Sequence, residues 1–399
     1  MTRSFLIFLL IFINCISSQN KNPIVLVHGF MGWGEEEMGP YKYWGGWFDL
    51  VGELEKEGYT ILVASVGPVS SSWDRAIELY YQIKGGRIDY GKYHSEKYGL
   101  VQKPLEKDYK GLYPQWSEKN PLHFIGHSMG GQTIRMLDYL LNNVIQDSLG
   151  TLEKSKLLGK QNKGWVKSIT TLSTPHDGTT ISDFINAGIP FLQNFIALAG
   201  VAGNSFYDFD LEQWGFKRFK EENWINYFKR MKQHSIWDSK NTVAWDSSIE
   251  GAKEINSLCV ANPDVYYFSI TNYKTKIDED SGYHKPMKGM SNILKVQARL
   301  MGRKKAYYND GTSTDSTWYL NDGVVNTVSM LGPTTGSSGP DPIAEFRQGD
   351  LVIPGQWYVM GNYEFDHSAL IGHQMRKDEY YSLKKIYSDQ LRILWRLPN

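Results

Sequence analysis

The run Ile125-Gly126-His127-Ser128-Met129-Gly130-Gly131 constrains this chain more than any other stretch. Ahead of it, Pro121-Leu122-His123-Phe124-Ile125 is a short apolar segment of the kind that forms a buried strand. Behind it, the residues from Gln132 to Leu141 place apolar side chains at helical spacing. Gly126-His127-Ser128-Met129-Gly130 is therefore a G-x-S-x-G pattern in a strand-to-helix turn. Such a turn lifts a serine hydroxyl off the sheet, above the N-terminus of the following helix. Partial positive charge from the free N–H groups there favours a developing anion. A glycine-rich connection with a solvated serine is the bland alternative, and the flanking strand and helix speak against it. Ser128 is the expected nucleophile.

Near the start, Pro23-Ile24-Val25-Leu26-Val27 reads as a buried strand that opens into His28-Gly29-Phe30-Met31-Gly32-Trp33-Gly34. A His-Gly loop after a first strand is where half of an oxyanion hole is built, and the residue after the nucleophile supplies the other half. The expected donors are the main-chain N–H groups of Phe30 and Met129. A turn with a structural histidine remains the competing reading of His28-Gly29.

Residues 1–18 carry one early arginine, the apolar run Phe5 to Ile13, and then Cys15, Ser17 and Ser18. That run is too short to span a bilayer and no stop-transfer segment follows, so a secretory signal peptide is expected, with an exported product. No later stretch is long and apolar enough for a transmembrane segment. Of the two cysteines, Cys15 should leave with the signal, and Cys259 then has no partner for a disulfide. Forty-three basic and forty-three acidic side chains cancel, which recommends no nucleic-acid partner. Thirteen tryptophans and twenty-five tyrosines are a heavy aromatic load, most of it expected in the core and some of it on a surface that meets apolar material.

Helical segments (Phe48 to Glu57, and a second ending near Lys84) alternate with strands at Thr60 to Val66 and Lys167 to Leu172. Further strands are expected at Val265 to Ile270 and Trp357 to Met360, and a tail helix from Asp378. This alternation predicts an α/β fold with a mostly parallel central sheet and helices on both faces. Ser182 to Gly203 is mostly apolar with little charge. It reads equally as a core helix or as a mobile helical cover able to meet lipid.

A serine nucleophile needs a base, and the base needs a carboxylate to orient it. In this arrangement the chain order is Ser, acid, His. His367 lies just past the last expected strand, where the base belongs, and His373 is the second candidate. Asp322, in the turn sequence Asn321-Asp322-Gly323, and Asp177, after an earlier strand, both suit the acid, with spacing favouring Asp322.

The runs Pro23 to Phe30 with Gly32-Trp33-Gly34, Lys42-Tyr43-Trp44-Gly45-Gly46, and His127 to Thr133 stand in this order, followed by Thr174 to Thr180 and Asn321 to Thr327. On these runs the chain, from about Pro23 to Gly372, resembles the secreted true lipases of the staphylococcal and thermophilic-bacillus type. The resemblance implies an α/β-hydrolase fold with aromatic-rich insertions, one domain over 19–399 and a helical lid at about 184–213. It also implies the acid at Asp322, the base at His367, and action on glycerol esters of fatty acids. Asp177 then falls to a structural role.

That family carries a zinc site of two Asp and two His. Asp74, His94 and Asp246 match it, but Leu100 stands where the second histidine belongs. The family's calcium ligands after the catalytic histidine are replaced by Ala369 and Gln374. Zinc normally wants four protein ligands and calcium several anionic oxygens, so no metal and no cofactor is expected.

The sequence thus predicts a secreted triacylglycerol lipase working at a lipid–water interface through an acyl-enzyme. A carboxylesterase or a phospholipase is the alternative within the same chemistry. A catalytically silent binding protein is the alternative outside it, opposed by the presence of Ser128, Asp322 and His367 together.

Overall fold

The computed structural model describes residues 20–181 and 211–398, apart from 36, 217 and 218. The expected signal peptide and the expected lid up to residue 210 lie outside the described residues.

Seven strands form the central sheet: β1 (Ile24–Val27), β2 (Ile61–Ala64), β3 (Leu122–His127), β4 (Val166–Leu172), β5 (Tyr266–Asn272), β6 (Ile343–Glu345) and β7 (Trp357–Tyr363). Their order is β6-β7-β5-β4-β3-β1-β2, and every neighbouring pair is parallel. The helices that cover it are α1 (Leu50–Glu55), α2 (Ser72–Lys84), α3 (Met129–Asn142) and α4 (Lys377–Leu394).

Period-two alternation along the strands sorts their side chains between two cores. Val25, Val27 and Phe124 pack with Ile77 and Ile83 of α2 and Leu137 and Leu141 of α3. Ile24, Leu26 and Ile125 point the other way, onto Leu54 of α1 and Leu383, Leu391 and Leu394 of α4. Because both faces are covered, β1 reads as an unbroken β-branched and leucine run rather than an alternating one. Each such fully buried aliphatic side chain contributes roughly 1.5–3 kcal/mol.

The expected strands all form, with ends shifted by a few residues at most. The edge strand β6 was not expected: three residues after Pro342 carry too little pattern to read. β7 runs on to Tyr363 past a register shift between Val359 and Gly361, which brings the chain to Asp366 and His367. The loosely patterned stretch after β5 contains a small hairpin (Thr275–Ile277 with His284–Pro286) and the helix Lys295–Met301.

Since all seven strands are parallel, their carboxyl ends lie along one edge of the sheet. His28, Ser128, Asn272 and His367 all follow or close strand ends on that edge, the usual position for chemistry in an open parallel sheet.

Candidate active site

Ser128 occupies the single-residue turn between β3 and α3, with φ 55° and ψ −128°. A non-glycine residue in that region is strained by about 1–3 kcal/mol and persists only where its surroundings fix it. They do so here. Ser128 N–H donates to Leu172 O at 2.8 Å, and Ser128 O accepts from Thr174 Oγ1 at 2.9 Å and Gly131 N at 3.1 Å. The turn closes only with glycines beside it. A Cβ on Gly126 would lie 2.5 Å from Gly131 N, and one on Gly130 would lie 2.1 Å from Val27 O.

The loop after β1 is packed against this serine. A Cβ on Gly29 would come within 2.7 Å of Ser128 Cβ and 3.3 Å of Ser128 Oγ. His28 is fully buried, and its tautomer follows from its partners. Val66 N–H donates to His28 Nε2 at 3.1 Å, so the ring proton is on Nδ1 and is donated to Gly29 O at 2.9 Å. Burial, reinforced by the Arg75 charge, pushes His28 down to about 3 and keeps the ring neutral.

Gly29 C=O and Phe30 N–H share one rigid peptide plane, so the bond from His28 also aims the Phe30 N–H. The same logic applies to Met129, whose N–H shares a plane with Ser128 C=O, held by Thr174 and Gly131. Neither the Phe30 nor the Met129 N–H meets an acceptor among the described residues. Two fixed, unengaged donors beside a serine are what an oxyanion requires. His28 therefore has the structural role that one reading gives it, and that role does not oppose the oxyanion reading of its loop, since the bond to Gly29 O orients the next peptide.

Arg75 locks the two halves together from beneath. Its guanidinium is buried and donates to His28 O, to Gly67 O at 2.7 Å and to Thr133 Oγ1 at 2.8 Å. Thr133 Oγ1 in turn donates to Met129 O at 2.9 Å.

Asp322 is fully buried in the loop between β5 and β6. Its Oδ1 accepts from Val324 N at 2.8 Å and Val325 N at 2.7 Å, and its Oδ2 accepts from Asn272 Nδ2 at 3.2 Å. The same Oδ2 lies 2.8 Å from His367 Nδ1. Since the carboxylate accepts there, His367 carries its proton on Nδ1 and leaves Nε2 as the basic nitrogen. The His367 ring packs against His127, the residue before Ser128, with centroids 4.6 Å apart.

The other candidates have different partners. Asp177 accepts from the N–H and hydroxyl groups of Thr334 and Thr335 and from Asn256 Nδ2, and so pins a distant loop. His373 Nε2 lies 2.9 Å from Tyr43 O and 3.2 Å from Lys42 O, committed to those carbonyls.

The metal positions do not fit their ions. Asp74 spends Oδ1 on His94 Nε2 at 2.7 Å and Oδ2 on Asn241 Nδ2 at 2.9 Å. Asp246 accepts from Ser72 N, and burial pushes its carboxyl up to about 7. Leu100 packs in an apolar cluster with Met129, Leu211 and Trp214. Among the described residues no three His, Cys, Asp or Glu side chains converge to hold an ion. Beyond His367, Gln374 Oε1 accepts from Ser291 Oγ at 2.9 Å, and Asp366 accepts from Ser291 N and Ala369 N. Calcium would find one carboxylate there, already engaged.

The cluster that takes in Leu100 also packs Phe30 and Met31 against Leu211, Trp214 and Ile236. Leu211, at the described end of the expected lid, therefore lies in the apolar group around Phe30 and Met31. Sequence reasoning assigned no role to Tyr43, His127 or Arg75. Tyr43 and His127 do stand inside the runs that carried the resemblance, the one signal that could have drawn attention to them.

Known proteins share the family and the fold of this chain. The family described as "Lipase-like, C-terminal domain" matches residues 20–387. Lipase 2 of Staphylococcus aureus is 36% identical over 331 residues, 80% of this chain and 46% of that protein. The chain thus spans about half the length of the curated relatives it matches. Among solved structures, EstA from Clostridium botulinum is 39% identical with a TM-score of 0.83, over 96% of this chain and 89% of that one. Staphylococcus hyicus lipase is 34% identical with a TM-score of 0.84, over 96% and 97% of the two chains.

Proposed function

We propose that this chain, which belongs to the lipase-like, C-terminal domain family and has the α/β-hydrolase fold, is a triacylglycerol lipase acting through Ser128, His367 and Asp322. The observation that carries the reading is the buried Asp322–His367 pair beside a strained serine elbow with two N–H donors that meet no acceptor among the described residues. His367 Nε2 takes the Ser128 proton as Oγ attacks the ester carbonyl. The carbonyl oxygen becomes an anion held by the Phe30 and Met129 N–H groups. Collapse expels the alcohol, which takes the proton from His367 and leaves an acyl group on Ser128. Water, deprotonated by His367, then attacks the acyl-enzyme, and the fatty acid leaves. Asp322 stabilises the imidazolium formed in each half.

Export with loss of residues 1–18, a single hydrolase domain over 19–399, and a lid at about 184–213 that opens at a lipid–water interface complete the proposal. The apolar cluster that joins Leu211 to Phe30 and Met129 supports the last part. The test compares fatty-acid release from an emulsified long-chain triacylglycerol with hydrolysis of a soluble short-chain ester. Turnover on the emulsion, impaired selectively by charged residues at Phe195 and Ile196, supports the lipase. Turnover confined to the soluble ester makes the protein an esterase, and turnover confined to phospholipid makes it a phospholipase.

A further inference from the structure

The oxyanion loop and the base come from opposite ends of the chain, yet one continuous line of hydrogen bonds joins them. Gly29 N–H donates to Tyr43 Oη at 2.9 Å, Tyr43 Oη lies 2.7 Å from His127 Nδ1, and His127 Nε2 lies 3.1 Å from His367 O. The direction of every bond is determined. A carbonyl only accepts, so His127 carries its proton on Nε2 and donates it to His367 O. His127 Nδ1 is then an acceptor, which Tyr43 O–H must fill. The Tyr43 oxygen is free to accept from Gly29.

Every group in the line is buried and satisfied, and burial disfavours the charged form of both rings. Burial, with the charge of His367 second, holds His127 well below the usual imidazole range. Burial also holds the Tyr43 phenol well above its usual range. Tyr43 is fixed from its other side as well, by His373 on its carbonyl and by Trp33 and Trp44, with ring centroids 5.3 Å away in each case.

We infer that Tyr43 and His127 are positioning residues that set the distance between the oxyanion donors and the base, with Ser128 held between them. The inference rests on the Ser128 hydrolase reading and adds residues to it. The His127 ring packs against the His367 ring, but among the described residues neither Tyr43 nor His127 hydrogen-bonds to a His367 ring nitrogen or to Ser128 Oγ. Tyr43 fixes the peptide before the one that carries the Phe30 N–H. His127 carries Ser128 on its own carbonyl side while its ring holds the backbone of His367. A transition state that needs both the donors and the base loses rate when their spacing relaxes. Ground-state binding of a small ester, which needs neither, does not.

Tyr43→Phe deletes one oxygen and keeps the aromatic packing. On a soluble ester it should lower kcat by about 10- to 100-fold with KM unchanged. His127→Leu removes both bonds and should lower kcat at least as far. His127→Gln puts an amide N–H near the place of Nε2 and should restore part of that loss by donating to His367 O. Tyr43→Phe combined with His127→Leu should cost little more than His127→Leu alone, since the two act in one line. Titration with a nitrophenyl phosphonate counts competent serines, so each kcat is taken per titrated site.

An unchanged kcat per site in Tyr43→Phe, with any loss confined to fewer titrated sites, would make the line purely structural and overturn the inference. Equal kcat in His127→Gln and His127→Leu would overturn it for His127, even if Tyr43→Phe folds poorly. Failure of the unsubstituted protein to release nitrophenolate would instead defeat the hydrolase reading itself.

Discussion

Asp322 and His367 are joined twice. The imidazole Nδ1–H meets Asp322 Oδ2 at 2.8 Å, and the His367 backbone N–H donates to Asp322 O at 3.1 Å. The second bond does not depend on the carboxylate, so the loop should keep its place when the side chain is changed. Asp322→Asn should therefore keep the loop in place while presenting an N–H to His367 and reversing its tautomer, with a modest fall in melting temperature because the new amide N–H group also faces Asn272 Nδ2. Turnover on a soluble ester should fall about a thousand- to ten-thousand-fold. A variant that keeps a tenth of the rate would show that Asp322 does not orient the base.

Asp177 should give the opposite pattern. It is the buried acceptor for Thr334, Thr335 and Asn256, so Asp177→Ala strands several donors. A stability loss of about 2–4 kcal/mol in denaturant is expected, with kcat of the folded fraction near that of the parent. A large fall in kcat without loss of stability would return Asp177 to the catalytic candidates.

These two aspartates mark how far the sequence could be read. Chain order and turn chemistry leave both open as acids, because each follows a strand in a loop. Spacing only favours Asp322 and the resemblance implies it, while the buried partners that distinguish the two lie far off in sequence. The parallel sheet was legible because each major strand is a compact apolar run, whereas β6 is three residues long and carries no period. The elbow was legible because its glycines are local requirements. The Tyr43–His127 line was not, since its bonds span 14, 84 and 240 residues and no spacing rule connects them.

Asp138, on α3, predicts a pH dependence. Burial pushes its carboxyl from 3.8 up to about 6, although Asn142 and Asn262 donate to it. The folded protein thus holds this proton to higher pH than the unfolded chain does. Stability from this group is complete below pH 3.8 and is lost as pH rises through 6. The gap amounts to about 3 kcal/mol. Against the parent, Asp138→Asn should gain about that much relative stability between roughly pH 3 and pH 8. Parallel stability–pH curves for the two proteins would contradict the assignment.

Metal removal should be nearly silent. With Asp74 committed to His94 and Asn241, and Gln374 to Ser291, neither family site offers a free set of ligands. A strong chelator should leave both the melting temperature and soluble-ester turnover nearly unchanged. Stoichiometric calcium by elemental analysis, or a large calcium-specific gain in melting temperature, would overturn this. Stoichiometric zinc abolished by Asp74→Ala would overturn the zinc half alone.

The most direct test of the central claim is a double-mutant cycle on Ser128 and His367, read as kcat on a soluble ester with folding checked by melting temperature. Ser128→Ala and His367→Ala should each lower kcat by about four orders of magnitude or more, and the double variant should be little worse than either. Near-parental turnover in His367→Ala, additive losses in the double variant, or hydrolysis persisting in Ser128→Ala would contradict the account.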